Sequence, residues 1–161
     1  MITYQKERLQ DIWDELMDNA KSHWNETEGY RHDQVFNPDK ERFFQYADMG
    51  LYHSYTARDS EKDDLLVGNI TMYVTPSMHT QLLVAAEDTM FIRKEYRGKR
   101  IYYKLFKMVE EEMWDMGVYE INLSTKVVND AGGLIERMGY THVANQYSKS
   151  ADSALTVKEA S

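Results

Sequence analysis

Glu87-Asp88-Thr89-Met90-Phe91-Ile92-Arg93-Lys94-Glu95-Tyr96-Arg97-Gly98-Lys99-Arg100-Ile101 decides how this chain is read. It passes from an apolar strand through a basic, glycine-containing turn into an amphipathic helix. Between Arg93 and Lys107 stand seven basic residues and one acid, Glu95, a local charge of about +6 in a chain of formal charge -8. The remainder therefore carries about -14. A helix N-terminus presents unpaired backbone N–H groups and the positive end of the helix dipole. Arg and Lys added there make a receptor for a strongly anionic group, phosphate above all.

Downstream, Tyr102, Leu105, Phe106, Val109, Met113 and Met116 mark one face of a helix that ends at Gly117. Glu110-Glu111-Glu112 overlaps that helix as a solvated face. Tyr119, Ile121, Leu123 and Thr125 alternate as a buried strand, Asn129-Asp130 can cap a shorter helix running to Met138, and residues 140–147 read as a final strand. Upstream, residues 51–58 and 65–74 form antiparallel strands across a polar turn, and residues 81–92 form a third strand after the Pro76-Ser77 break. Asn37-Pro38-Asp39 supplies an N-cap, a proline at N1 and an acid in the first turn, predicting a helix over 38–49. Leu9, Ile12, Trp13, Leu16, Met17, Ala20 and Trp24 recur at helical spacing, so residues 4–24 read as an amphipathic helix. Residues 25–36 are a polar connection. The small, polar tail 151–161 is expected to be mobile. The order ααβββαβαβ describes one mixed α/β domain over residues 1–150, without an internal repeat or dividing linker.

A chain of 161 residues suffices for one domain with a sizeable core, and 42% hydrophobic with 29% charged residues is ordinary for a globular protein. The acidic balance disfavours nucleic-acid and anionic-membrane partners, whose phosphates most of this surface would repel. No apolar run approaches the roughly 20 residues that span a bilayer, and residues 1–6 show no secretory h-region. With no cysteine, disulfides, thiolate zinc sites and cysteine nucleophiles are excluded, which is compatible with the cytosol. The five histidines lack HExxH or comparable spacing, so no metal is expected. There is no P-loop, Rossmann glycine fingerprint or G-x-S-x-G elbow.

The element order and the basic turn resemble the GNAT N-acetyltransferase superfamily over about residues 1–149, most strongly from Val84 to Tyr140. The superfamily turn carries [Q/R]-x-x-G-x-[G/A]; here the window is Arg97-Gly98-Lys99-Arg100-Ile101-Tyr102, in which Arg97 matches and Arg100 and Tyr102 replace the small residues. More narrowly, the chain resembles small GNAT proteins encoded by bacteriophages, through His23-Trp24-Asn25-Glu26, Pro76-Ser77-Met78-His79, Asp88, the R-G-x-R-[IL] turn, Glu136-Arg137-Met138-Gly139-Tyr140 and Tyr147-Ser148-Lys149. The resemblance implies a GNAT fold and acetyl-CoA as co-substrate, held in a splay between strands 81–92 and 119–125. Backbone groups of Met90, Phe91 and Ile92 would take the pantetheine. Arg97, Gly98, Lys99, Arg100, Ile101 and Tyr102 would surround the pyrophosphate, with Asn129 at the last helix also on the cofactor side. It implies an amine acceptor, protein or small molecule, near His23, Trp24 and Glu26, a host-cytoplasmic location if phage-encoded, and a homodimer as one assembly.

Acetyl transfer to an amine needs a proton acceptor, a donor for the developing oxyanion and an acid for the thiolate. Without cysteine, direct attack in a ternary complex is favoured over an acyl-enzyme. Glu87 is the first candidate base or proton relay, against a reading as a solvated or substrate-orienting carboxylate. Asp88 falls on the opposite strand face unless a bulge re-aims it, and parity alone leaves the two open. His79, at the entrance to the central strand, is a third catalytic candidate. The tyrosine that the superfamily often uses as the thiolate acid falls on Ile135, which carries no proton; Tyr140 and Tyr147 are nearby in sequence. Ile135, Arg100 and Tyr102 also fit a rival reading, a catalytically degenerate GNAT fold kept as a binding or virion-associated module.

Overall fold

The computed structural model describes residues 1–29, 35–149 and 151. The expected tail falls almost wholly outside the described residues, as does part of the 25–36 connection. Five strands form one sheet in sequence order: β1 (Ile2–Glu7), β2 (Tyr52–Asp59), β3 (Leu65–Pro76), β4 (Leu83–Ile92) and β5 (Val118–Asn122). The first four pair antiparallel and β5 joins β4 in parallel. Helices α1 (Leu9–Thr27) and α2 (Lys40–Asp48) cover one face, and α3 (Ile101–Asp115) covers the other. A short helix α4 (Gly132–Arg137) follows β5.

Because both faces of the central strands are covered, β3 is buried without interruption from Leu66 to Met72, the pattern of a strand with no solvent face. On the α3 side Ile101, Leu105, Phe106, Val109 and Met113 pack on Tyr55, Val67, Ile70 and Met72. Each such side chain is worth about 1.5–3 kcal/mol when fully buried. On the other side Leu9, Ile12, Trp13 and Leu16 of α1 close on Tyr52, Phe43 and Phe44. Asp39 caps α2 by accepting from the Arg42 N–H at 3.1 Å.

Several expectations are corrected: Asp39 and not Asn37 caps α2, the strand after α3 ends at Asn122 with Tyr119 exposed, and Glu110 is buried instead of solvated. Residues 4–7 belong to an edge strand and not to the first helix, which begins at Leu9 after an extended Arg8. Ile2 and Tyr4 alternate onto the α3-side core, a two-residue period too short to stand out beside the helical stripe that follows. Residues 140–147 form no strand: Val143 and Tyr147 are 81% and 90% exposed, so nothing buries one face of the segment and the pairing has no driving force.

β1 is fastened through Arg58. Its guanidinium donates to Glu7 at 2.8 Å, to both Glu15 oxygens at 2.9 and 3.1 Å and to the Asp64 carbonyl at 2.8 Å. Three elements thus converge on one buried cation.

Candidate functional site

β4 is built to open the sheet. It pairs with β5 only from Leu83 to Ala86; β5 stops at Asn122, and among the described residues no strand pairs with residues 87–92 on that side. Against β3, Met72 faces Glu87 while Thr71 faces Thr89, so Asp88 is the extra residue of a β-bulge. A polar network holds this bulge: Thr89 bonds Thr71 through its amide (3.1 Å) and hydroxyl (2.7 Å), Asn69 donates to Thr89 at 3.2 Å, and Asn19 of α1 donates to Asn69 at 3.2 Å. Both carboxylates consequently line a cleft of about 800 Å³ that follows β4 between α1 and the chain after β5. The bulge answers the parity question left open by the sequence, and both residues reach the site.

Glu87 accepts from the Ser124 backbone N–H at 3.2 Å and the Ser124 hydroxyl at 3.3 Å. Burial lifts its carboxyl above the ordinary value, opposed by the Ser124 bonds, with Asp88 adding to the rise and Lys126 opposing it. Asp88 accepts from the Tyr52 hydroxyl at 2.7 Å, and burial raises it against that bond. A raised carboxyl is a stronger base when ionised, the property that proton abstraction from an amine needs.

At the other end Arg97 faces the cleft. Its Nε donates to the Ile92 carbonyl at 2.9 Å, its guanidinium lies 5.6 Å from the Phe91 ring centre, and it forms a two-oxygen pair with Glu26 of α1 at 2.8 and 3.1 Å. Arg93 has a different task, donating to the Leu66 carbonyl at 2.8 Å and so fixing the turn to β3. A 3₁₀ turn, Lys94–Tyr96, follows, anchored by the buried Tyr96 hydroxyl on Asp59 at 2.9 Å. Gly98 has φ +78° and Arg100 φ +59°. Arg100 thus adopts the left-handed conformation that glycine takes easily, at a cost of about 1–2 kcal/mol for an L-residue.

Met90, Phe91, Ile92, Arg97, Tyr102, Asn129, His23, Trp24, Glu26, Glu87 and Asp88 all line the cleft. Gly98, Lys99 and Arg100 complete the turn on the surface, and Ile101, the first residue of α3, is buried in the core. His79 does not reach the site: it is exposed in the turn between β3 and β4, its amide bonded to the Ser77 hydroxyl at 3.2 Å. Burial depresses the His23 imidazole, partly offset by Glu26 and the Met90 backbone. The Tyr102 ring stacks on Phe106 at 5.9 Å, while its buried hydroxyl has no hydrogen-bond partner among the described residues. Tyr140 does not reach the cleft lining; it donates to Glu110 at 3.0 Å.

Tyr52, Ser124, Lys126 and Glu28 line the cleft without having been singled out from sequence. Lys126 pairs with Glu28 at 2.5 Å, joining the chain after β5 to the end of α1. No local motif marks any of them, because each acts through a partner far away in sequence. Among the described residues no group of three His, Asp or Glu side chains could hold a metal. No described helix is long and apolar enough to cross a membrane.

An open parallel pair, a bulged and acidic strand and a basic turn thus meet at one cleft. The model of the Acetyltransferase (GNAT) family matches residues 9–140, and the chain belongs to that family. Similar solved structures include glucosamine-6-phosphate N-acetyltransferase from Arabidopsis thaliana (14% identity, TM-score 0.72, covering 94% of this chain and 99% of that one). Ribosomal-protein-alanine N-acetyltransferase from Brucella melitensis biovar Abortus 2308 aligns at 19% identity with TM-score 0.68, over 92% of this chain and 98% of that one. A predicted acetyltransferase with acetyl-CoA from Clostridium acetobutylicum aligns at 15% identity with TM-score 0.71, over 92% and 95%. At these identities the likeness shows the fold alone. No functionally curated protein sequence matches the chain.

Proposed function

We propose that this protein is an acetyl-CoA-dependent N-acetyltransferase that passes an acetyl group to an amine by direct attack. One observation carries the reading: the unpaired stretch of β4, the bulged carboxylates and Arg97 at the foot of α3 all face a single cleft. The residues present fit the co-substrate. The main chain of Met90, Phe91 and Ile92 runs where β5 has left the sheet, its Met90 backbone bonded by His23 and its Ile92 carbonyl by Arg97, and would take the amides of a pantetheine arm by exchanging those bonds. Arg97 and the first amides of α3 suit a pyrophosphate, and the orphaned Tyr102 hydroxyl offers one more donor inside the cleft.

Acetyl-CoA, when bound, supplies an activated thioester. Glu87, held by Ser124, takes the proton that the ammonium must lose before its nitrogen lone pair attacks, and the second nitrogen proton leaves to water as the new C–N bond forms. The C–S bond breaks and the CoA thiolate departs. Ile135 supplies no acid, so the thiolate takes its proton from water; a thiol of pKa about 8.5 leaves without strong assistance. Asp88 and Tyr52 orient the acceptor from the opposite side. Arg100, by keeping the left-handed turn, favours this reading over a degenerate binding or virion-associated module. The likeness to phage-encoded members and the absence of cysteine support a bacterial host cytoplasm as the place of action, and the charge of -8 supports a non-nucleic-acid acceptor.

Calorimetric titration with acetyl-CoA tests the proposal. Binding should weaken as salt rises, and Arg97→Glu, which reverses a charge at the anion end, should weaken it tenfold or more. Wild-type protein that fails to bind at millimolar acetyl-CoA would refute the enzyme reading and promote the binding module.

A further inference from the structure

The charges in the cleft are matched unevenly. Four carboxylates line it. Glu26 is paired with Arg97 at 2.8 Å and Glu28 with Lys126 at 2.5 Å, which occupies both Lys and Arg side chains found among the described lining residues. Among the described residues Glu87 and Asp88 meet only an amide, a serine hydroxyl and a phenol, with Lys126 bearing on Glu87 from farther off. Two neighbouring carboxylates drawn partly out of water without a cation of their own are costly. A protonated amine seated against both would offset that cost, whereas a phosphorylated or carboxylated acceptor would meet repulsion.

Beside those carboxylates, and among polar residues such as Thr27 and Asn37, the cleft also carries an apolar, largely aromatic set. Leu16, Met17, Trp24, Phe36, Phe43 and Tyr52 make it up. Phe43 meets Tyr52 edge-on at 5.2 Å, and Trp24 lies 6.0 Å from Phe36. Aromatic pairs in these orientations are already packed and give a flat apolar body contact on several sides. A polyhydroxylated body would forfeit hydrogen bonds to water against the same residues.

We infer that the acceptor is a primary amine on an apolar, aryl-bearing body, with its ammonium against Glu87 and Asp88 and its ring among Phe43, Tyr52 and Trp24. The inference rests on the acetyl-transfer reading for the word acceptor, while the ligand class rests on the cleft alone. The two are separated by titrating amine and acetyl-CoA independently.

Phenethylamine, its uncharged counterpart 2-phenylethanol and the hydrophilic amine glucosamine serve as probes in calorimetry on the full chain at neutral pH. Phenethylamine should bind about tenfold or more tightly than either of the others, since one lacks the charge and the other the ring. Asp88→Asn should lower phenethylamine affinity about tenfold and leave 2-phenylethanol unchanged. Glucosamine binding as tightly as phenethylamine, or 2-phenylethanol doing so, overturns the inference, and these wild-type comparisons stand even if the variant does not fold. Acetyl-CoA binding without phenethylamine binding overturns the acceptor class and leaves the transferase reading intact. Phenethylamine binding without acetyl-CoA binding keeps the ligand class and overturns transfer.

Discussion

Replacing Glu87 by glutamine removes a base while preserving its shape. The amide oxygen can still accept from the Ser124 N–H and hydroxyl, now at 3.2 and 3.3 Å, so the loop after β5 stays fastened. What disappears is the proton acceptor. General-base catalysis is worth about 10²–10⁴-fold, and with Asp88 adjacent to take part of the load the expected loss in kcat is about 10²–10³-fold, or roughly 3–4 kcal/mol of barrier. Stability should move the other way. Burial raises the Glu87 carboxyl, so between its unfolded and folded values the native state holds a proton that the unfolded chain has released. Stability conferred by that proton is present at low pH and declines as pH rises through this window. Glutamine has no such decline, so the variant should melt no lower than wild type at neutral pH. Wild-type kcat/KM should rise with pH through the Glu87 titration, and the variant should lack that limb. The assay is a pH–rate series on an accepted amine beside thermal melts at matched pH. Identical pH profiles would remove Glu87 from the chemistry, and a large fall in melting temperature would mean that the rate loss reports the fold.

Arg58→Ala strands Glu7 beside the core without its cation and should cost about 3–5 kcal/mol in denaturant unfolding. Arg58→Met combined with Glu7→Leu should recover much of that loss, and equal destabilisation by both would refute the pairing argument. Arg100→Gly relieves the left-handed residue at some cost in unfolded-chain entropy, so a net gain of about 0.5–1 kcal/mol is expected, read as a higher melting temperature; a loss would mean that the side chain contributes more than the strain removes. Tyr102→Phe deletes an unpaired buried hydroxyl. It should leave the empty protein as stable or more so and weaken acetyl-CoA about five- to tenfold if a ligand atom meets that hydroxyl, whereas unchanged affinity would show that the ring is only packing.

Much of the cleft could be read from the chain because its chemistry is local. The cations of the basic turn are close in sequence, Glu87 interrupts a visibly apolar strand, and the helix after Arg100 announces its buried face. The bulge could not be read, since it exists only as a mismatch between β4 and β3 created by Thr71, Thr89 and Asn69. Tyr52 was equally silent, a strand residue until Asp88 arrives from 36 positions away. His79 shows the converse error: a titratable residue beside a proline at a strand entrance looks purposeful, yet the turn holds it in solvent. β1 was lost because six residues of mixed polarity gain their order from Arg58 and the core.

The ion pair between Arg97 and Glu26 turns entry at the basic turn into an exchange. A phosphate that claims the Nη2 of Arg97 would compete with a carboxylate belonging to α1, and that carboxylate lies one helical turn from His23 and close to Trp24. The helix released at one end of the cleft is therefore the helix that walls the other. By linkage, any acceptor that draws α1 inward alters the hold on the phosphates by the same factor by which the phosphates alter the hold on the acceptor. Two substrates in this cleft would sense each other through a shared wall before any bond between them forms.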